Sequence, residues 1–332
     1  MTRSPPVLFV IAQPGAAAYF LPLWQRWSDD PTAPDWRLLI VPAARRHVAW
    51  PTHRADRLVD PATAEAAGFD AALAGWQPAV VVTSTSYHGL EREAVRWAKN
   101  AGSRTVQLID AHYNYCRRIE ASNVDGTRPD VVIVPDRFAA AEAAADGLPA
   151  DGVRALGYPA WESVPVAATA DPRRALFVSQ PISDDHADSL GYTEQSALAL
   201  ALQAVEGEQA LFDEILLALH PRENADRVPT HPRLRLVDTA QQGLAQAGTV
   251  LGMFSSFLVD AVLAGRRVVS LQPEAKGTDM CMLSRHGFIS RAGSLHDLRH
   301  AMAAPPPDAG SLRQAYTGSL DRVDAFLRGA AA

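Results

Sequence analysis

At 332 residues, 48% hydrophobic and 20% charged, the chain is long enough for two hydrophobic cores and has the composition of a soluble globular protein. A net charge of −6 and a pI of about 5.9 argue against a non-specific nucleic-acid binder, which needs dense Lys and Arg to neutralise phosphates. The same balance leaves open a local basic patch for an acidic ligand and a peripheral membrane contact.

Cys116 and Cys281 stand far apart and in no CxxC pattern, as in a protein that keeps its thiols reduced. The first residues imitate an export signal: Arg3, then Val7–Ala12, then Ala16-Ala17-Ala18. The apolar run is too short for one and is broken by Gln13-Pro14-Gly15, so a buried first strand and a turn fit better. No stretch has the apolar length of a membrane span, and a cytoplasmic location is expected.

The first half alternates strands and helices. Val7–Ala12 reads as a strand covered on both faces, and Ala16–Trp27 as a helix with Tyr19, Phe20, Leu23 and Trp27 at helical spacing. Trp36–Val41 is the second strand. Pro42–Ala64 lacks periodicity and reads as loop with a short helix. Asp70–Trp76 is expected to be helical, Ala79–Val82 a strand, and Leu90–Asn100 a helix stopped by Gly102. Thr105–Ile109, Asp130–Val134 and Val153–Leu156 are further strands, with the Ala-rich helix Arg137–Ala145 between the last two. This rhythm predicts a parallel, doubly wound sheet.

Pro159–Pro172, rich in Pro, Val and Ala, reads as a boundary. A second set of strands follows at Ala175–Ser179, Glu214–Leu219, Leu234–Val237, Thr249–Met253 and Val268–Leu271. Helices are expected at Glu194–Glu206, Thr239–Ala247, from Ser255 to Gly265, Asp279–His286 and Ser294–Met302. Beyond Pro305-Pro306-Pro307, Leu312–Arg328 reads as one amphipathic helix. The expected fold class is α/β, with two Rossmann-like domains facing across a cleft in the GT-B manner. The domains are an acceptor domain (1–160), a nucleotide-sugar domain (161–310) and a terminal helix (311–332) that packs back on the first.

Candidate chemistry gathers past the strand ends, where open α/β sheets bind ligands. His220-Pro221-Arg222 follows an apolar strand; the proline ends the ladder, and His220 and Arg222 can donate to a phosphate or a base. His231-Pro232-Arg233 precedes a strand and reads as a plain turn. Ser255 and Ser256 open a helix, where hydroxyls either cap it or meet a phosphate at its positive end. Gln180, beside Ser183, Asp184 and Asp185, lines the matching loop, and Gln272 and Glu274 end a strand where a carboxylate can hold ribose hydroxyls.

In the first half, Asp110 closes a strand and can take a proton from an acceptor hydroxyl, with His112 the competing base. Tyr113, Tyr115, Arg117 and Arg118 follow and can grip a sugar or pack an interface. Gln13 and Gly15, in the first strand-to-helix loop, and Ser84, Ser86 and His88, after another strand, form a candidate acceptor-sugar rim. A single glycine in that first loop is no G-x-G-x-x-G fingerprint, so a nicotinamide cofactor is not expected. No Walker lysine, G-x-S-x-G elbow or metal-ligand spacing is present, and neither cofactor nor metal is called for.

His220-Pro221 after a strand, Ser255-Ser256 at a helix start and Ser179-Gln180-Pro181 together make residues 173–275 resemble bacterial sialyltransferases, polysialyltransferases and Kdo transferases. That resemblance implies a two-domain GT-B glycosyltransferase of polysaccharide biosynthesis, with a CMP-activated sugar held by the His-Pro and paired-serine motifs. The acidic D/E-D/E-G triplet that supplies the base in those enzymes is missing, and Asp110 is its positional substitute. The expected activity is inverting, metal-independent transfer from a nucleotide sugar to a glycan or small-molecule acceptor. The alternatives are a sugar-nucleotide epimerase or hydrolase of the same fold, or a non-catalytic binding homologue. Oligomeric state is not legible.

Overall fold

The computed structural model describes residues 4–46, 48 and 52–330; part of the Pro42–Ala64 stretch lies outside the described residues. The chain divides into two units, Met1–Ser163 with Gln314–Ala332, and Val164–Arg313.

Strand β1 (Val7–Ile11) carries no polar side chain, and all five of its residues are buried. A strand of that kind needs cover on both faces and belongs in a sheet interior. It is followed by α1 (Pro14–Asp29), β2 (Trp36–Ile40), α2 (Pro42–Arg45), β3 (Leu58–Val59), α3 (Pro61–Leu73), β4 (Val80–Ser84) and α4 (Gly89–Asn100). Then come β5 (Arg104–Leu108), α5 (Tyr115–Ala121), β6 (Val131–Val134), α6 (Arg137–Ala145), β7 (Val153–Ala155) and α7 (Pro159–Glu162). The strands form one seven-stranded parallel sheet in the order β3-β2-β1-β4-β5-β6-β7. Helix α1 starts at a proline, whose missing N–H costs nothing in the first turn, and turns Tyr19, Phe20, Leu23, Trp24 and Trp27 inward. Phe9 on β1 meets the rings of Phe20, Trp24, Trp27 and Trp36 at centroid distances of 5.2, 5.6, 5.9 and 6.5 Å.

The second unit holds β8 (Asp171–Val178), α8 (Ile182–His186), α9 (Glu194–Gln203), β9 (Glu214–Ala218), β10 (Leu234–Leu236) and α10 (Ala240–Gln246). It continues through β11 (Ala247–Gly252), α11 (Phe257–Leu263), β12 (Arg267–Leu271), α12 (Met282–Arg285), β13 (Ser290–Ala292) and α13 (Leu295–Ala303). Its six-stranded sheet is also parallel, in the order β10-β9-β8-β11-β12-β13. The last helices are α14 (Ala309–Tyr316) and α15 (Ser319–Gly329).

Several elements differ from the sequence reading, each for a local reason. The single helix expected over Leu312–Arg328 is two, because Gly318 takes φ +73° and its N–H, with that of Leu320, donates to the Glu162 carboxylate (2.7 and 3.0 Å). Helix α15 is then tied to α1 by Trp27 donating to Asp324 and Arg26 to Asp321, both at 2.7 Å. Helix α3 begins nine residues before the expected Asp70, since Asp60 caps it by accepting from Ala62 and Thr63, and it ends where Ala74 turns to φ +48°. The helix expected over Asp279–His286 shrinks to α12. Asp279 instead accepts from the Cys281 N–H and from Gln272 and Ser284, which holds the chain in a turn. Helix α5 and the short strands β3 and β13 were not anticipated.

The aromatic packing around Phe9 sets a testable cost. Phe9→Ala is expected to destabilise the protein by about 3–5 kcal/mol, seen as a lower denaturant midpoint with little change in slope.

Candidate functional site

In a parallel sheet the strand order reverses at one place, and the loops on either side of it diverge to leave a crevice at the carboxyl edge. That place lies between β1 and β4 in the first unit and between β8 and β11 in the second.

In the second unit, three loops are tied together there. Gln180, after β8, accepts the Phe254 N–H at 2.9 Å, which links it to the chain just before Ser255. Ser179 donates to Glu223 (2.7 Å), and the other oxygen of that carboxylate accepts the His220 N–H (2.7 Å), linking the ends of β8 and β9. Burial pushes the Glu223 carboxyl up, and these two donors only partly oppose it. Pro221 turns the chain as expected, and the His220 Nδ1 accepts the Arg222 N–H at 3.2 Å, which places the neutral ring's proton on Nε2. The Arg222 guanidinium grips Asp185 with two hydrogen bonds of 2.9 and 2.5 Å. Those bonds, with the charges of Arg222, His186 and His220, hold the Asp185 carboxyl below the usual range. A dense rim of charge thus surrounds the end of β9, beside a cavity of about 150 Å³ lined by Ser179, Arg222 and Glu223 among others.

The paired serines divide their roles. Ser255 accepts the Phe257 N–H at 3.3 Å, whereas Ser256 is exposed and caps nothing. Gln272 donates to Ser270 and Asp279 (2.9 and 2.6 Å) and Glu274 is exposed, with a left-handed φ of +55°.

In the first unit, the Asp110 carboxylate lies against the first turn of α1, so close that a Cβ on Gly15 would overlap its Oδ2. Tyr158 donates to the Gly15 carbonyl at 3.1 Å and fixes that turn from the other side. Burial pushes the Asp110 carboxyl above the normal range, against the opposing charges of Arg118 and His112 and its own backbone N–H. Arg118 also covers the Tyr113 ring at 4.4 Å.

His112 sits elsewhere in its surroundings. It is 7% exposed, its Nε2 meets Asp136 at 2.8 Å, and its ring lies parallel to Trp161. Asp136 also caps α6 and accepts from the Tyr316 hydroxyl at 2.9 Å. Burial raises its carboxyl, but the His112 charge and these donors outweigh that and hold it low. This arrangement anchors the imidazole in packing, and Asp110 is left as the less constrained acid.

Ser84 and Ser86, expected on an acceptor rim, turn inward: both hydroxyls donate to Glu91, which is wholly buried. Glu91 also takes the Ser84 N–H (3.0 Å) and a bond from the Ala12 N–H, so one carboxylate ties the ends of β1 and β4. Burial nevertheless pushes it above the normal range. Nothing in the sequence reading singled out Glu91; its only signal is the His88-x-x-Glu91 spacing of a helix start, where His88 accepts the Leu90 N–H. The Thr83 and Thr85 hydroxyls are buried and have no partner among the described residues. Gln13 is exposed at the head of α1 and makes no side-chain cap. Among the described residues no group of three His, Cys, Asp or Glu has the arrangement of a metal site, and no helix is long and apolar enough to cross a membrane.

No family model matches the chain, and no curated protein matches it. Solved structures do match, and they define the class: two parallel α/β units of Rossmann type, the GT-B architecture. UDP-GlcNAc 2-epimerase of Neisseria meningitidis, bound to UDP-GlcNAc, has a TM-score of 0.63 at 12% identity, covering 97% of this chain and 99% of its own. The Methanocaldococcus jannaschii UDP-GlcNAc 2-epimerase, in complex with UDP-GlcNAc and UDP, gives 0.64 at 10% identity over 97% and 99%. The glycotransferase of kitacinnamycin gives 0.58 at 15% identity over 99% and 98%. At these identities the likeness is one of fold.

Asp110 offers a check that needs no substrate. Its folded-state pKa is raised, so both states are protonated in strong acid; the cost of its charge sets in above the unfolded value and is complete once pH passes the folded one. Asp110→Asn is therefore expected to raise the melting temperature near pH 7 by about 2–4 °C, the equivalent of ~1 kcal/mol in a domain of this size. The gain should vanish toward pH 3; an equal gain at both pH values would show that the carboxylate bears no burial cost.

Proposed function

We propose that the chain is an enzyme acting on a nucleotide-activated sugar, and that it epimerises the sugar. Asp110 is the group assigned to moving the proton. The observation that carries this reading is the Asp110 carboxyl itself, lodged against Gly15 at the start of α1, where burial pushes its pKa up. Inversion at the carbon next to the anomeric centre needs a base that takes its proton while the electron pair forms a C=C bond and the anomeric C–O bond to the nucleotide breaks. The nucleotide then re-adds as a donor returns a proton to the opposite face. A desolvated carboxyl near a helix start suits the first task. The nucleotide falls to the second unit, where the loops carrying His220, Arg222, Gln180, Ser255 and Ser256 are held together at the carboxyl edge. The fold shared with two epimerases whose structures hold UDP-GlcNAc favours a UDP-linked sugar.

Glycosyl transfer is the second reading, favoured by the His-Pro and paired-serine motifs and by the glycotransferase among the structural neighbours. In it a CMP-linked sugar is the donor, and Asp110 would deprotonate an acceptor hydroxyl as that oxygen bonds the anomeric carbon and the nucleotide leaves.

Incubation with UDP-GlcNAc, and separately with a CMP-linked sugar, in D₂O and without acceptor separates the two. Epimerisation yields a nucleotide-sugar isomer carrying one deuterium at the inverted carbon. Transfer yields no isomer, and free nucleotide appears only when an acceptor is added. Neither conversion nor binding of either compound would overturn both readings. Gly15→Ala, which crowds the carboxylate out of position, is expected to lower kcat at least about tenfold with KM nearly unchanged.

A further inference from the structure

A trough on the first unit takes no part in these assignments. It runs between α3 and α4, where a cavity of about 550 Å³ is lined by Glu65, Gly68, Phe69, His88, Glu93 and Trp97 among others. A second cavity of about 230 Å³, lined by Leu73, Trp76 and Ser103 among others, shares Asp70 and Trp97 with the first. The two adjoin at Asp70 and the Trp97 indole and are taken together as one trough along α4. Alongside α4, whose 12 residues span about 18 Å, it has the length of a few sugar rings.

Both tryptophans are held in place before anything binds. The Trp97 N–H donates to Asp70 at 3.0 Å, and Phe69 stacks on the ring at 5.0 Å with 26° between planes. The Trp76 N–H donates to Asp35 at 2.7 Å, and the Arg37 guanidinium covers the ring at 4.7 Å. Each indole is thus pinned at its polar edge and backed by a neighbour, so ordering it on binding costs little. Where Gly68 and Gly89 line the first cavity, a Cβ would meet only open space, so the depression is unfilled over backbone.

The polar groups select against anions. Glu65, Asp70 and Glu93 line the trough, and Arg96, which lines its first cavity, is held by Glu93 and by Asp125 (3.0 Å). Carboxylates accept hydroxyl donors, and flat, rigid rings pack the C–H faces of pyranoses. We propose that this trough binds a neutral oligosaccharide chain. His88 lines its end and also starts α4 directly after the β4 loop, so a bound glycan would run up to the carboxyl edge of the sheet. The proposal stands apart from the identity of the nucleotide sugar.

Tryptophan fluorescence and calorimetric titrations with cellohexaose, chitohexaose and maltohexaose test it. At least one is expected to saturate at about 1 mM or below, without loss at about 0.5 M NaCl. Trp97→Ala should weaken that binding by about tenfold or more. Ala67→Trp, at an exposed position facing the first cavity, should do the same by filling it without touching the core. No binding of any of the three, unchanged affinity in both variants, or salt-sensitive binding of spermine in preference to the sugars would overturn it.

Discussion

Glu91 shows the constraint under which both units are built. Parallel strands end together at one edge, and the first N–H groups beyond them have lost their ladder partners while still half inside the protein. In the first unit one buried carboxylate takes the Ala12 and Ser84 amides and the Ser84 and Ser86 hydroxyls, and so closes the gap between β1 and β4. An acceptor-only group with several lone pairs is the natural solution, because every orphan it meets is a donor. The second unit answers the same problem with Glu223 between β8 and β9, and with the Gln180 carbonyl reaching across to Phe254. Both glutamates bear a burial cost, visible in their raised carboxyls, and the donors around them keep it from becoming prohibitive.

This closure decides which polar side chains at the strand ends are already engaged. Ser84 and Ser86 are consumed by it, whereas Asp110, one strand over, is not. In the second unit the His-Pro turn is rigid because Glu223 holds its first amide and the imidazole holds that of Arg222. The Arg222 charge is balanced by Asp185, so an arriving phosphate would compete with that carboxylate for the guanidinium.

Much of the architecture was legible because continuous apolar runs such as Val7–Ile11 and Val131–Val134 have few ways to be buried, and their spacing leaves room for a crossover helix each time. Elements set by a handful of local bonds were not. Helix α3 depends on the Asp60 cap and tolerates a glycine at φ +82° within it; β3 and β13 are too short to show a period. The strand-end positions of Asp110, His220 and Ser255 followed from the same runs. Their partners did not: Glu91, Glu223 and Tyr158 act across the fold, on residues their own neighbourhoods give no hint of.

The setting of Asp110 is best judged against the other aspartates near helix starts. Asp60 and Asp136 each accept the first amides of the helix they cap, and both carboxyls are held low, Asp60 first by the Thr63 hydroxyl and then by the Ala62 N–H. That is how a structural aspartate looks when the backbone rewards its charge. Asp110 faces the start of α1 yet accepts no hydrogen bond from another residue among the described ones, and its carboxyl is pushed up instead of down. The helix it faces is entered through Gln13 and Pro14, which need no side-chain cap, and Gly15 gives the carboxylate room where any other residue would exclude it. A charge placed so, with burial against it and only its own backbone N–H in return, adds little to the fold, unlike the charges of Asp60 and Asp136.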